Sequence, residues 1–243
     1  MNEKNIKISG EFLKDLQVSF GDNLVSAIFY GFAEQQSGGK SPHINALVIL
    51  KDNSPSEIAK SSGFLKKWHK NSINSPLFLT QDFINESLDT FPLEFIEMKS
   101  SYDVLFGVDV LGGLEFAPED IRRQCERELK GKLIHLRSEY LNHRENTKKL
   151  RDLVSRSLKT FRPLFQGAVF LETGIIPLGT NEITDSLSKY YGLDKSLFDN
   201  LRAFERGELK LKYEEADKLF DIYVEELDKL SEAVNNLNAA EEK

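Results

Sequence analysis

The chain changes its hydrophobic pattern once, near Pro118, and this change limits the folds that it can adopt. Before Pro118, short apolar runs such as Leu24–Tyr30 and residues 46–50 alternate with helical patterns, as they do in proteins that mix strands and helices. After Pro118, apolar residues recur every three or four positions, which is typical of amphipathic helices. We therefore predict an α+β protein. A mixed sheet with flanking helices should occupy residues 1–117, and an all-α antiparallel helical bundle should occupy residues 118–243.

Length and composition place the chain among folded proteins. Its 243 residues are 40% hydrophobic and 29% charged, which suffices for a real core in two modest domains. No stretch approaches the roughly 18 apolar residues of a membrane helix, and the charged start lacks the apolar run of a signal peptide. A single cysteine, Cys125, excludes an internal disulfide and a clustered-cysteine zinc site. We expect a cytoplasmic protein without membrane contact.

Further strand candidates and a capped helix are predicted in the first half. Residues 77–79 form a short apolar run, and Thr80 is placed to cap a helix over residues 81–88. Residues 91–99 suggest a principal strand, with a proline near its start where proline is tolerated. Residues 104–106 suggest an edge strand. The sequence thus predicts a sheet of about four strands.

Two apolar segments in this half carry a recognisable motif. Val25-Ser26-Ala27-Ile28-Phe29-Tyr30-Gly31-Phe32-Ala33 is followed, after a ten-residue segment from Ala33 to Pro42, by His43-Ile44-Asn45-Ala46-Leu47-Val48-Ile49-Leu50. This pattern resembles the nucleotidyltransferase superfamily, in particular its minimal, kanamycin-nucleotidyltransferase-like members. In those proteins a strand ends in Gly-Ser, and a loop leads to Asp-x-Asp at the head of the next strand. A later strand supplies a third carboxylate, and a helical bundle follows.

The resemblance implies a magnesium-dependent transfer of a nucleoside monophosphate, but the residues that this chemistry needs are replaced. Gly31 is present, whereas Phe32 occupies the serine position, and His43 and Asn45 occupy the positions of the two aspartates. Both replacements are formally neutral at pH 7, and Mg²⁺ prefers carboxylate oxygens. Only Glu94 matches the third carboxylate. We expect no catalytic residue to function, no bound metal and no cofactor, with Mg²⁺ needed only if rearranged ligands keep the enzyme active.

A basic segment is the strongest positive feature of the second half. Residues 118–162 contain 13 Lys and Arg against 7 Asp and Glu, whereas the whole chain has a net charge of −7. Four cations lie close to helical spacing and are our candidate anion ligands: Arg123, Arg127, Lys130 and Arg137. Neighbouring glutamates are near enough to pair with them, which would leave an ordinary solvated helix face. Nucleic-acid binding is disfavoured because the chain is acidic and lacks an aromatic-basic platform.

The sequence favours a degenerate nucleotidyltransferase-fold protein that is catalytically inactive and acts as a binding or interaction protein. Weak affinity for a nucleotide or another phosphate-bearing small molecule is expected in the cleft between the two domains. One alternative is an active nucleotidyltransferase with rearranged metal ligands. A second alternative is a structural protein that self-associates through its bundle, so that its partner is another protein or a second copy.

Overall fold

The computed structural model describes residues 3–31 and 44–237, with side chains from Lys7 onward. The chain divides into two compact units. The first unit contains residues 1–91 and 97–116, and the second contains residues 92–96 and 117–243. Phe32 and His43 lie outside the described residues.

The first unit combines short helices with four described strands. Its elements, in chain order, are α1 (Glu3–Phe20), β1 (Leu24–Tyr30), β2 (Asn45–Leu50), α2 (Pro55–Ala59), α3 (Leu65–Lys70), β3 (Leu77–Leu79), α4 (Gln81–Glu86), α5 (Pro92–Ser100) and β4 (Tyr102–Gly107). The first residues of α5 belong to the second unit. Thr80 caps α4 as predicted, because its hydroxyl accepts a hydrogen bond from the Phe83 N–H at 3.1 Å.

The four strands form one mixed sheet in the order β3-β2-β1-β4. The central strand β1 is antiparallel to both β2 and β4, whereas β2 is parallel to β3. Consecutive residues of β1, including Ala27 and Ile28, are fully buried. Burial on both faces explains why β1 is a nearly continuous apolar run without polar alternation.

Helix α1 and an aromatic cluster cover one face of the sheet. Phe12, Leu16 and Phe20 recur every four residues along α1 and pack with Phe29 of β1 and with Trp68. The Phe12 ring lies 5.1 Å from the Phe29 ring and 4.9 Å from the Trp68 ring. The indole N–H of Trp68 donates to the buried carboxylate of Asp15 at 3.0 Å, so the polar end of the tryptophan is satisfied.

The predicted strand over residues 91–99 is wrong, because this segment forms helix α5. Pro92 occupies the first turn, where its missing N–H removes no helical hydrogen bond. Phe95 and Ile96 are both buried, a pattern that a helix accommodates and a one-sided strand does not. A short apolar run of this length does not distinguish strand from helix in the sequence.

The second unit is built from five helices and the start of α5. The helices are α6 (Pro118–Leu141), α7 (Thr147–Thr173), α8 (Thr180–Tyr191), α9 (Lys195–Glu205) and α10 (Tyr213–Asn236). Pro118 lies at the first helical position of α6, as predicted. None of the helices in the described part of the chain has the length and apolar composition needed to cross a bilayer.

Helix α6 runs antiparallel to both α7 and α10. Between α6 and α7, Glu139 near the end of α6 pairs with Arg156 at 3.1 Å, whereas Cys125 near its start contacts the Leu164 carbonyl. Between α6 and α10, the Tyr140 hydroxyl donates to Asp217, and the Lys130 ammonium donates to the side chain of Asn235. These contacts confirm a helical bundle with antiparallel neighbours.

Gly167 of α7 lies close to side chains of α5 and α6. A methyl group on Gly167 would lie 2.3 Å from Leu93 Cδ2 and 2.7 Å from Cys125 Sγ. Both side chains are buried, so neither can move into solvent. Any side chain at this position would overpack the core of the second unit.

We predict that Gly167→Ala lowers the free energy of unfolding of the second unit by about 1–3 kcal/mol, because the added methyl group has no space. Gly131→Ala is the matched control: Gly131 lies in α6 with no atom within 4 Å of the added methyl group. It should raise the free energy of unfolding by about 0.4–1 kcal/mol. Denaturant unfolding of the full chain, followed by far-UV circular dichroism, measures both. Equal effects would contradict the packing described for Gly167.

Candidate functional site

Three polar side chains lie side by side where β1 ends and where β2 and β4 begin. Tyr30 of β1 is directly opposite Asn45 of β2 and also directly opposite Tyr102 of β4. Residues that are directly opposite in antiparallel strands project from the same face of a sheet. We call Asn45, Tyr30 and Tyr102 the polar row. All three side chains are half-buried, so they are accessible from solvent.

Gly31 follows Tyr30 of the polar row directly, at the end of β1. Its φ angle of +81° lies in the left-handed region, and its N–H donates to the Ser101 carbonyl at 2.9 Å. A methyl group on Gly31 would lie 2.9 Å from Asn45 Nδ2. Glycine is therefore needed here both for the backbone angle and for the close approach of Asn45.

Asn45 is held by a neighbouring amide and, among the residues that the structure describes, has no carboxylate as a hydrogen-bond partner. The side-chain N–H of Asn74 donates to Asn45 Oδ1 at 2.7 Å. The backbone beside it is also fixed, because the Asn74 N–H donates to the Ile44 carbonyl at 2.9 Å. The position that resembles a metal-binding aspartate thus carries an amide that another amide orients.

Tyr102 is anchored by a carboxylate in the loop after β4. Its hydroxyl donates to Asp109 Oδ2 at 2.9 Å, and burial and this hydrogen bond both raise the pKa of Tyr102. The other oxygen of Asp109 accepts from the N–H groups of Gly112 at 2.9 Å and Leu111 at 3.1 Å. Partial burial alone would raise the pKa of Asp109, but these hydrogen bonds outweigh it and lower the pKa. Asp109 is therefore an ionised, fully engaged carboxylate.

Tyr30 lies in the electrostatic field of a different glutamate from the one that the sequence suggested. Burial raises the pKa of Tyr30, and the negative charge of Glu97 on α5 raises it further. Glu94, three residues earlier, instead accepts a hydrogen bond from the side-chain N–H of Gln124 at 2.8 Å within the second unit. The same Gln124 accepts from the Leu93 N–H at 2.9 Å, which fixes the start of α5.

The strands themselves supply one carboxylate, and it points away from the polar row. Asp103 is the only Asp or Glu within β1 to β4 as the structure defines them. It lies directly opposite Phe29, one residue from the Tyr30 and Tyr102 pair, and so projects from the other face of the sheet. The described residues contain no group of three or more His, Cys, Asp and Glu side chains that would hold a metal ion. The described side chains of the polar row therefore do not fit Mg²⁺, which prefers several carboxylate or phosphate oxygens.

The four basic side chains proposed as anion ligands lie on α6 with acidic neighbours. Arg123 pairs with Glu119 at 2.6 Å and Lys130 with Glu126 at 2.5 Å. The other two are Arg127, which lies 3.8 Å from Glu128, and Arg137, which pairs with Asp228. All four side chains are at least half exposed, so these pairs contribute little to stability. Their role in holding an anion stays a prediction.

Sequence reasoning missed Tyr30, Tyr102 and Glu97 as neighbours of the motif. Tyr30 immediately precedes Gly31 and Tyr102 begins an edge strand, but only the strand register shows that they adjoin Asn45. Glu97 lies in the segment 91–99, which was predicted as a strand and is the helix α5. The motif concerns metal-binding residue types and does not indicate that Tyr30, Tyr102 and Asn45 lie together.

Comparisons with known proteins support the fold. No protein-family model matches the sequence, and no curated protein matches it. Among solved structures, the chain is similar to spectinomycin adenyltransferase AAD(9) from Enterococcus faecialis, determined with ATP and spectinomycin. The alignment has a TM-score of 0.53 and 12% identity, and it covers 93% of this chain and 98% of that one. The predicted nucleotidyltransferase-like fold is thereby confirmed.

We predict that Gly31→Ala lowers the free energy of unfolding of the first unit by about 1–2 kcal/mol, the usual cost of a left-handed residue that carries a side chain. Gly113→Ala is the matched control, because its added methyl group meets no atom within 4 Å and its φ is not positive. Differential scanning calorimetry of the full chain measures both variants. An unchanged transition for Gly31→Ala would show that the turn relaxes without cost.

Proposed function

We propose that this chain is a nucleotidyltransferase-fold protein that has lost nucleotidyl transfer and acts as a binding protein, with weak, metal-independent affinity for a nucleotide. One observation carries the proposal: the groups at the end of β1 form a neutral row, Asn45, Tyr30 and Tyr102, in place of a cluster of carboxylates. Transfer chemistry in this fold depends on the missing charges.

Electrostatics explains why the replacement matters. Two Mg²⁺ ions that bridge a triphosphate neutralise the charge that develops during transfer, and each ion must exchange part of its hydration shell for anionic oxygens. His43 and Asn45 contribute no negative charge, and Asn45 Oδ1 is already engaged by Asn74. Asp103 lies on the other face of the sheet. The remaining groups provide too little negative charge to replace water in the hydration shell of Mg²⁺.

The structural neighbour supports a nucleotide as the ligand to test. Spectinomycin adenyltransferase AAD(9) was determined with ATP and spectinomycin, and its fold matches nearly the whole chain. In the proposed function, the fold still accommodates a nucleotide, but the carboxylates that would bind the activating metal ions are missing.

The decisive experiment measures ATP binding and ATP consumption separately. Isothermal titration of the full chain with ATP should give a dissociation constant that changes less than about twofold between excess Mg²⁺ and EDTA, because no carboxylate pair couples metal to nucleotide. Incubation with labelled ATP and spectinomycin should release no pyrophosphate. Strong Mg²⁺-dependent binding together with pyrophosphate release would overturn the proposal and establish an active transferase.

A gain-of-charge variant tests the physical reason. His43→Asp combined with Asn45→Asp restores two negative charges at the motif, and we expect ATP binding by this variant to become sensitive to Mg²⁺. Asn85→Asp is the control for added charge, since Asn85 is exposed on α4 and uses only its side-chain oxygen, which aspartate keeps. If the control gains the same Mg²⁺ sensitivity, the effect is not specific to the motif.

A further inference from the structure

The polar row and the neighbouring Asn74 contain hydrogen-bonding groups without a described partner. Within the described residues, the Tyr30 hydroxyl has no hydrogen-bond partner, and neither do Asn45 Nδ2 and Asn74 Oδ1. The first group donates and accepts, the second donates and the third accepts. All three groups are uncharged and belong to side chains that are at least partly exposed. They offer an accessible set of complementary contacts for a neutral polar ligand.

The two tyrosines add aromatic surface beside these groups. The hydrogen bond from the Gly31 N–H to the Ser101 carbonyl identifies Gly31 and Ser101 as a hydrogen-bonded pair of the ladder. Because such pairs alternate, Tyr30 and Tyr102 form the intervening non-hydrogen-bonded pair, in which side chains approach most closely. The Tyr102 hydroxyl is fixed by Asp109, so its ring is held in place. A tyrosine ring provides a face on which a planar ring can stack.

The charges connected to the row oppose phosphate. Glu97 acts on Tyr30 and Asp109 is bonded to Tyr102, and both are acidic. Lys99 lies within electrostatic reach of Asp109, but its ammonium donates to the Leu114 carbonyl at 2.7 Å. These two carboxylates and one ammonium carry a formal charge of −1 together, so their balance disfavours an approaching triphosphate.

We infer that the polar row binds the uncharged nucleoside part of a nucleotide and leaves the phosphates outside. This inference rests on the proposed function and adds the part of the ligand that is recognised. The free hydroxyl and amide groups contact the edge of the base, the tyrosine rings contact its face, and the acidic residues disfavour phosphate. The arrangement selects for a planar, neutral group, in contrast to the phosphate contacts that the ancestral motif implies.

The test compares adenosine with ATP on the full chain in EDTA, by isothermal titration. Adenosine should bind at least as tightly as ATP. Tyr30→Phe should weaken adenosine roughly fivefold, as expected for the loss of one hydrogen bond. Tyr190→Phe is the control, because it removes an exposed tyrosine hydroxyl from α8 in the second unit. Asn45→Asp should weaken ATP more than adenosine, whereas Asn85→Asp should affect neither.

Two results would overturn the inference alone: ATP binding without adenosine binding, or equal affinities for adenosine in the wild type and in Tyr30→Phe. Absence of binding of either compound would overturn the inference together with the nucleotide affinity of the proposed function. None of these results bears on transfer, which the pyrophosphate assay decides independently. Mg²⁺-dependent pyrophosphate release would overturn the proposed function itself. The two failures are therefore distinguishable.

Discussion

The pairing of β1 with a strand on each side is the constraint on which the rest of the first unit depends. Because β1 is central, its register with β2 and with β4 determines which side chains meet at the end of the sheet. A slip of one residue would move every side chain of β1 to the other face and would take Tyr30 away from Asn45 and Tyr102. Gly31 then stops the strand beside Asn45. The polar row is thus a product of backbone register rather than of loop conformation.

The register also determines which chemical groups lie together at the end of the sheet. The strand ends still converge, but the convergent groups are an amide and two phenols. Two of the three are held by a hydrogen bond: Asn74 orients Asn45, and Asp109 orients Tyr102. These hydrogen bonds fix both side chains, and the described side chains of the polar row lack the concentrated negative charge that divalent ions require.

The sequence predicted those elements whose residue pattern is compatible with only one type of secondary structure. The doubly buried strands β1 and β2 and the proline-initiated α6 follow from apolar continuity and from capping rules. The helix over residues 91–99 was not predicted, because nine residues with a leading proline are compatible with either a strand or a helix. Burial by tertiary packing determines that this segment is helical. Of the residues at and beside the polar row, the sequence singled out Gly31 and Asn45. The contributions of Tyr30, Tyr102 and Glu97 depend on strand register and on the helical form of α5, which local patterns do not encode.

The position of Trp68 has a practical consequence for following this molecule in solution. It is the only tryptophan in the chain, it is fully buried, and its neighbours Phe12 and Asp15 belong to the first unit. Its intrinsic fluorescence therefore reports on the sheet unit alone, whereas the long helices of the second unit, α6, α7 and α10, add a large ellipticity signal of their own. Emission and ellipticity recorded on one sample will show whether the two units melt together or one after the other.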